Sequence, residues 1–174
     1  MQNRTLRQLT AAGVIAAAYA ALSLVLATIT FGPVQCRISE ALTLLPVISP
    51  AAIWGVTLGC AVTNGVGAAT GTNFLGLVDL PVGTAATLLA AVATRLLGKI
   101  RFGGLPWLSA LPPILFNAVA IGGEWCYAMT GSINGAFWVF AGQIALGQLP
   151  PCLLGVWLIH LLERRGLQNI IEGK

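Results

Sequence analysis

The stretch Pro33-Val-Gln-Cys-Arg-Ile-Ser-Glu-Ala-Leu-Thr-Leu-Leu-Pro46 places Gln35, Arg37, Ser39 and Glu40 within six residues, between an apolar run ending at Thr30 and another beginning at Ala41. A charged side chain beside lipid is costly unless it faces water or a partner, so polar groups held there mark function by default. The chemistry these residue types offer is recognition. Carboxylate and carboxamide oxygens accept hydrogen bonds, while guanidinium and amide N–H groups donate them. Arg37 and Glu40 also stand at i and i+3, a helical spacing at which they pair with each other and merely pin a turn. On sequence alone both readings stand.

Other polar residues interrupt the apolar chain farther on. Asp79 and Glu124 are acids within apolar surroundings, and Asn64, Asn73, Asn117, Gln143 and Gln148 add carboxamides. Three carboxylates, one arginine and several carboxamides describe a polar pocket for a solute, because buried polar groups are costly unless something pairs them. Plainer readings exist for most members. Asp79, just before Leu80-Pro81, has the position of a helix-entry cap, Asn73 beside glycines and threonines has that of a turn residue, and Gln143 and Gln148 have the character of helix–helix glue. Glu124, between Gly122-Gly123 and Trp125, has no ion partner nearby in sequence, so Glu124 and Glu40 lead the candidates. Catalytic signatures are missing: the chain holds no His-Glu-x-x-His pair, no phosphate-binding glycine loop and no Gly-x-Ser-x-Gly elbow. No ATP-binding module is present either, so uphill transport needs another subunit or an ion gradient.

The elements that must position these residues follow from composition. Of 174 residues, 57% are hydrophobic and 8% charged, against about a quarter charged in soluble domains. This is the composition of an all-α integral membrane protein, and its +4 net charge is not gathered on a face for nucleic acid. The pattern predicts six transmembrane helices in a single domain: about Leu9 to Thr30, a short one from about Ile38 to Ile48, one opened by Ser49 as N-cap and Pro50 and running to about Gly65, one from Leu77 or Pro81 to Leu97, one from about Leu108 to Met129, and one from about Ala136 to Leu162 with a kink at Pro150-Pro151. Small residues recur at four-residue steps in the first helix, Ala12, Ala16 and Ala20 on one stripe and Gly13, Ala17 and Ala21 on the next, spacing that lets another helix approach. Cys36, Cys60, Cys126 and Cys152 lack metal-ligand spacing and read as free, hydrophobe-like thiols.

Orientation follows from the basic residues. With a cytoplasmic N-terminus, Arg4, Arg7, Arg95, Lys99, Arg101, Arg164, Arg165 and Lys174 all lie inside and only Arg37 outside. Glu163 and Glu172 then fall in the cytoplasmic tail, and Glu40, Asp79 and Glu124 towards the outer half. Trp125, Tyr127 and Trp138 lie near the outer interface, Trp107 and Trp157 near the inner one. The expected localisation is the plasma membrane, multi-pass, with both termini cytoplasmic.

The segment Val34-Gln-Cys-Arg-Ile-Ser-Glu-Ala-Leu-Thr-Leu-Leu-Pro46 resembles the QueT family of queuosine-precursor transporters, substrate-binding S components of energy-coupling factor (ECF) importers. The resemblance extends through Pro50-Ala51-Ala52, Leu58 to Asn64, Leu80 to Leu89, Pro113 to Glu124 and the end of the last helix. It implies a six-helix S-component bundle that captures a 7-deazaguanine outside and delivers it with a transmembrane coupling subunit and two cytoplasmic ATPases. It implies no resident cofactor and no metal, and ATP hydrolysis only by partner subunits. It assigns the Ala12, Ala16 and Ala20 stripe to the coupling subunit and makes the Pro33 to Arg37 loop a lid. For such a ligand, Glu124 or Glu40 reads the guanine-like edge, Asp79 or the other glutamate attracts an amine, Arg37, Gln35, Asn117, Asn64, Gln143 and Gln148 complete the hydrogen bonds, and Trp138 or Trp125 stacks on the ring. Competing classes are an autonomous ion-coupled carrier, which would transport alone, and an intramembrane enzyme, which would need a nucleophile or metal cluster.

Overall fold

The computed structural model describes residues 2–166, in which every regular element is helical. Helix α1 spans Gln2–Val25 and is followed by a single turn, α2 (Ala27–Thr30). A 3-10 segment, Ile38–Val47, leads to α3 (Ala51–Ala69), α4 (Asp79–Leu97), α5 (Leu111–Thr130) and α6 (Phe137–Arg164), with short 3-10 pieces at Gly76–Val78 and Trp107–Ala110. Arg4–Val25, Ala51–Ala69, Gly76–Leu97 and Phe137–Arg164 are long and apolar enough to cross a membrane. Helix α5 has 20 residues, a length of about 30 Å. It carries Asn117 and Glu124, and its length rather than its hydropathy marks it as a span. The chain is a multi-pass, all-α membrane bundle.

Several boundaries move, each for a local reason. Helix α1 starts well before Leu9 because hydropathy marks only the part suited to lipid, while Arg4 and Arg7 are good helix formers and carry the winding outward. Helix α3 runs past Gly65 to Ala69, since a glycine costs a helix only about 1 kcal/mol. Helix α6 accommodates Pro150 and Pro151 in one continuous element. Ser49 does not open α3 as expected. Its N–H bonds to Leu45 O at 3.0 Å and ties it to the preceding segment, so Pro50 takes the N-cap place. Glu172 and Lys174 lie outside the described residues.

The 3-10 winding of Ile38–Val47 answers a problem of length. Ten residues would cover about 15 Å as an α-helix but cover about 20 Å at 2.0 Å per residue. This segment sits at the centre of the molecule, against α1, α3, α4 and α6, while the long helices pack in the order α1–α3–α4–α5–α6 around it. Leu44, Leu45 and Ile48 join Ile15, Tyr19, Val56, Ile114, Cys152 and Ile159 in one apolar cluster, and Ile121, Trp125 and Ile144 form a second. Along α5 the order is Ile114, Asn117, Ile121, and along α6 it is Ile144, Gln148, Cys152. A polar layer therefore lies between the two apolar clusters.

The small residues of the first helix bear on its packing against α3. A Cβ at Gly55 would stand 2.9 Å from Ala12 O and 2.8 Å from Ile15 Cβ, and one at Gly59 would stand 3.0 Å from Ala16 O and 2.7 Å from Tyr19 Cβ. Ala12 and Ala20 are buried. Ala12 and Ala16 thus let α3 come close, while Ala16 stays half-buried and Ala12 also lines a cavity with Gly13, Pro50 and Trp54. Gly13, Ala17 and Ala21 face outward, with nothing within 4 Å of a Cβ at Gly13.

Candidate functional site

Arg37 is the N-cap residue of the 3-10 segment, with extended backbone (φ −91°, ψ 103°). Because it precedes the helical winding, the i, i+3 geometry that would aim it at Glu40 does not apply. Its Nη2 instead reaches Asp79 Oδ2 at 3.1 Å, with both side chains almost wholly buried. Asn73 Nδ2 donates to the same oxygen at 2.8 Å, and Asn64 Nδ2 donates to the Asp79 carbonyl at 2.9 Å. The guanidinium also lies 5.5 Å from the Phe31 ring centroid, a cation–π contact, and 3.9 Å from Cys60 Sγ. Gly83 makes room for this arrangement: a Cβ there would run into Asp79 Oδ1 and stand 2.7 Å from Asn64 Nδ2. Asp79 thus opens α4 and is also the counter-ion of Arg37, and Asn73 is both a turn residue, accepting from Leu75 N–H at 3.1 Å, and a partner of Asp79.

Glu40 is held separately. Tyr19 Oη donates to its Oε1 at 2.6 Å, and Asn117 lies beside the same carboxylate. Ser23 and Ser39 hydroxyls meet at 2.6 Å, which ties α1 to the 3-10 segment one turn farther along. Gln35 has φ 46°, the one non-glycine residue with positive φ among those described, and it is 1% exposed. Left-handed backbone in such a residue is strained and persists only where its surroundings over-determine it, often at functional sites. Gln148 Nε2 donates to the Gln35 carbonyl at 3.3 Å and fixes that strained turn to α6.

What distinguishes this layer is what its atoms lack. Gln35 Nε2, Arg37 Nε, Glu40 Oε2, Asn64 Oδ1, Asp79 Oδ1, Gln148 Oε1 and both Glu124 carboxylate oxygens are buried without a well-formed hydrogen bond, as is Trp125 Nε1. A few such atoms are ordinary in a native protein, but so many in one layer call for a partner from outside the chain. Glu124 lies close enough to Asp79 and Arg37 for their charges to act on one another. It also lines a cavity of about 410 Å³ with Phe74, Leu75, Val78, Tyr127 and Ile133. Trp125 is not an interfacial belt residue, because it is buried and stacked between Phe74 (centroids 5.2 Å apart) and Phe140 (6.4 Å).

Of the residues the sequence singles out, Gln35, Arg37, Glu40, Asn64, Asp79, Asn117 and Gln148 are buried in the layer, and Glu124 joins it to the cavity. Gln143 is half-buried and outside this hydrogen-bond network, and Trp138 is 76% exposed with its ring against Phe137. Trp138 therefore stands apart from the layer. Sequence reasoning missed Tyr19, hidden in an alanine-rich helix, and Cys60, which reads as a small hydrophobe. All four cysteines are free, and no group of three or more potential metal ligands occurs among the described residues.

No curated protein and no solved structure shows significant similarity to this chain. A family model described as QueT transporter, by contrast, matches residues 9–164, which run from within α1 to the end of α6 and take in the whole polar layer. On that match the chain belongs to the QueT transporter family.

Proposed function

We propose that this chain is the substrate-binding subunit of an ECF-type importer, and that it captures a queuosine precursor of the 7-deazaguanine class at the extracellular side. The observation that carries the reading is the set of buried donors and acceptors that lack a well-formed hydrogen bond in the layer between the two apolar clusters. A 7-deazaguanine is complementary to such a set. Its guanidine-like edge presents two adjacent N–H donors, which suit Glu40 Oε2 or Asp79 Oδ1. Its carbonyl suits Arg37 Nε or Gln35 Nε2, and Asn64 and Gln148 supply further acceptors. Both termini would lie in the cytoplasm, and energy would come from a transmembrane coupling subunit with two ATPases. The α1 stripe of Ala12, Ala16 and Ala20 would meet that subunit, alongside the exposed Gly13, Ala17 and Ala21.

The test is calorimetry on the purified chain in nanodiscs, with 7-deazaguanine precursors, queuine, guanine and riboflavin. Binding of at least one deazaguanine, with riboflavin inert, is the expected result. A folded sample that binds none of the deazaguanines overturns the proposal.

A further inference from the structure

The Ile38–Val47 segment keeps 3-10 winding for ten residues, although runs beyond about four are uncommon because the hydrogen bonds are poorer than in an α-helix. Such a length needs anchors. At the end that enters the polar layer, Arg37 holds Asp79 at 3.1 Å, Ser39 meets Ser23 at 2.6 Å and Glu40 accepts from Tyr19 at 2.6 Å. At the far end the anchors are two residues one turn apart on α4. Arg95 Nη1 donates to the Pro46 carbonyl at 2.9 Å, and Val47 lies against Gly98, where a Cβ would stand 3.0 Å from Val47 Cγ1 and 3.3 Å from its Cα. Between these ends, among the described residues, the side-chain hydrogen bond of the segment is internal, from Thr43 Oγ1 to Glu40 O at 2.6 Å. Arg95 has no carboxylate partner among the described residues, so its charge is directed at this one carbonyl.

Winding as an α-helix would shorten the segment by about 0.5 Å per residue. Pro46 resists that change at the far end, because its ring would meet the carbonyl four residues back. The stretch from Ile38 to Thr43 has no such bar, and over it the shortening comes to about 3 Å. A shift of that size breaks the 2.6 Å bond from Tyr19 to Glu40 and draws Arg37 off Asp79. Resting on the function proposed above, we propose that Arg95 is a positioning residue for ligand binding. By pinning Pro46 it keeps the segment at its 3-10 length, and so keeps Arg37 and Glu40 level with the layer. Helix α4 thereby links the basic end of the bundle to the grip on the ligand.

The test compares Arg95→Met, which keeps the length of the side chain without a donor, with Arg95→Lys, which keeps a charged donor, on the full chain in nanodiscs. The first readout is amide hydrogen exchange and needs no ligand. Arg95→Met should speed exchange from Glu40 to Leu44, well away from the substituted residue, and Arg95→Lys should restore the parent rates. Faster exchange confined to Val47 and Ile48 would make Arg95 a local cap and overturn the inference. The second readout is the affinity for whichever 7-deazaguanine the parent binds. Arg95→Met should weaken it at least about tenfold, the scale of one charged hydrogen bond, with Arg95→Lys within about threefold of the parent. Unchanged affinity in Arg95→Met overturns the inference and leaves the proposed function standing. Arg101→Met, which breaks the ion pair with Glu163 at the same end of the bundle, should move neither readout, and an effect equal to that of Arg95→Met also overturns the inference. If the folded parent binds no deazaguanine, the proposed function fails and the binding role of Arg95 fails with it.

Discussion

Arg37 and Asp79 are the pair on which the polar layer turns, and their energetics differ from those of a surface bridge. Both are out of solvent, so each has given up hydration that only its partner restores, and removing one partner from such a pair costs about 3–5 kcal/mol. Asp79→Asn should therefore lower the thermal unfolding midpoint in detergent markedly, as should Arg37→Gln. The double variant should lose clearly less than the two single losses combined, because neither neutral residue leaves a buried charge behind. A double variant that loses the full combined amount would show that the two residues do not act as a pair. This layer was legible in sequence because charges in a chain with so few of them stand out against their surroundings. The partner of Arg37 was not. It lies 42 positions away, and the local alternative, Glu40, fails only because the backbone at Arg37 is extended, a dihedral the sequence does not display. Tyr19 and Cys60 were invisible for the opposite reason, since each reads as part of an apolar helix face.

Among the elements, α1 and α3 are held at a separation that glycine permits. At Gly59 a methyl group would press on Tyr19 Cβ at 2.7 Å and on Ala16 O at 3.0 Å, and overpacking of this kind costs about 1–3 kcal/mol. Gly59→Ala should destabilise the protein by that order. It should also weaken ligand binding, because Tyr19, the residue displaced, is the one that orients Glu40. Gly13→Ala, one stripe round the same helix and open on that side, should change stability by less than about 0.5 kcal/mol. Melting curves and ligand titrations of the two variants separate these outcomes, and equal effects would refute the packing assignment. Hydropathy located the long helices well, because lipid demands about twenty apolar residues in a row. It could not say which small-residue stripe packs on α3, since small side chains line both. Nor could it find the 3-10 winding of Ile38–Val47, since over ten largely apolar residues a period of 3.0 is hard to tell from 3.6.

For the whole molecule the deciding question is which way it faces. The basic residues near helix ends, Arg4, Arg7, Arg95, Lys99, Arg101, Arg164 and Arg165, all fall at one end of the bundle, the end that a positive-inside orientation would put in the cytoplasm. At that end Arg101 forms a two-pronged bridge with Glu163 at 2.6 and 2.7 Å, clasping the α4–α5 connection to the end of α6. Being partly exposed, the clasp is worth no more than about 1 kcal/mol and serves to place charge rather than to hold the fold. Ile133, which lines the cavity beside Glu124, lies in the α5–α6 connection at the opposite end. Capture from outside therefore requires Ile133 to face the exterior and Ile100, in the α4–α5 connection, to face the cytoplasm. On a Cys36→Ser background, where the remaining cysteines are buried, Ile133→Cys should react with a membrane-impermeant maleimide on intact cells. Ile100→Cys should react only after permeabilisation. Both positions are exposed in the folded protein, at 63% and 44%, so a lack of labelling reports sidedness rather than burial. The reverse pattern would turn the cavity towards the cytoplasm, and an importer that captures its solute from outside would then be the wrong machine for this fold.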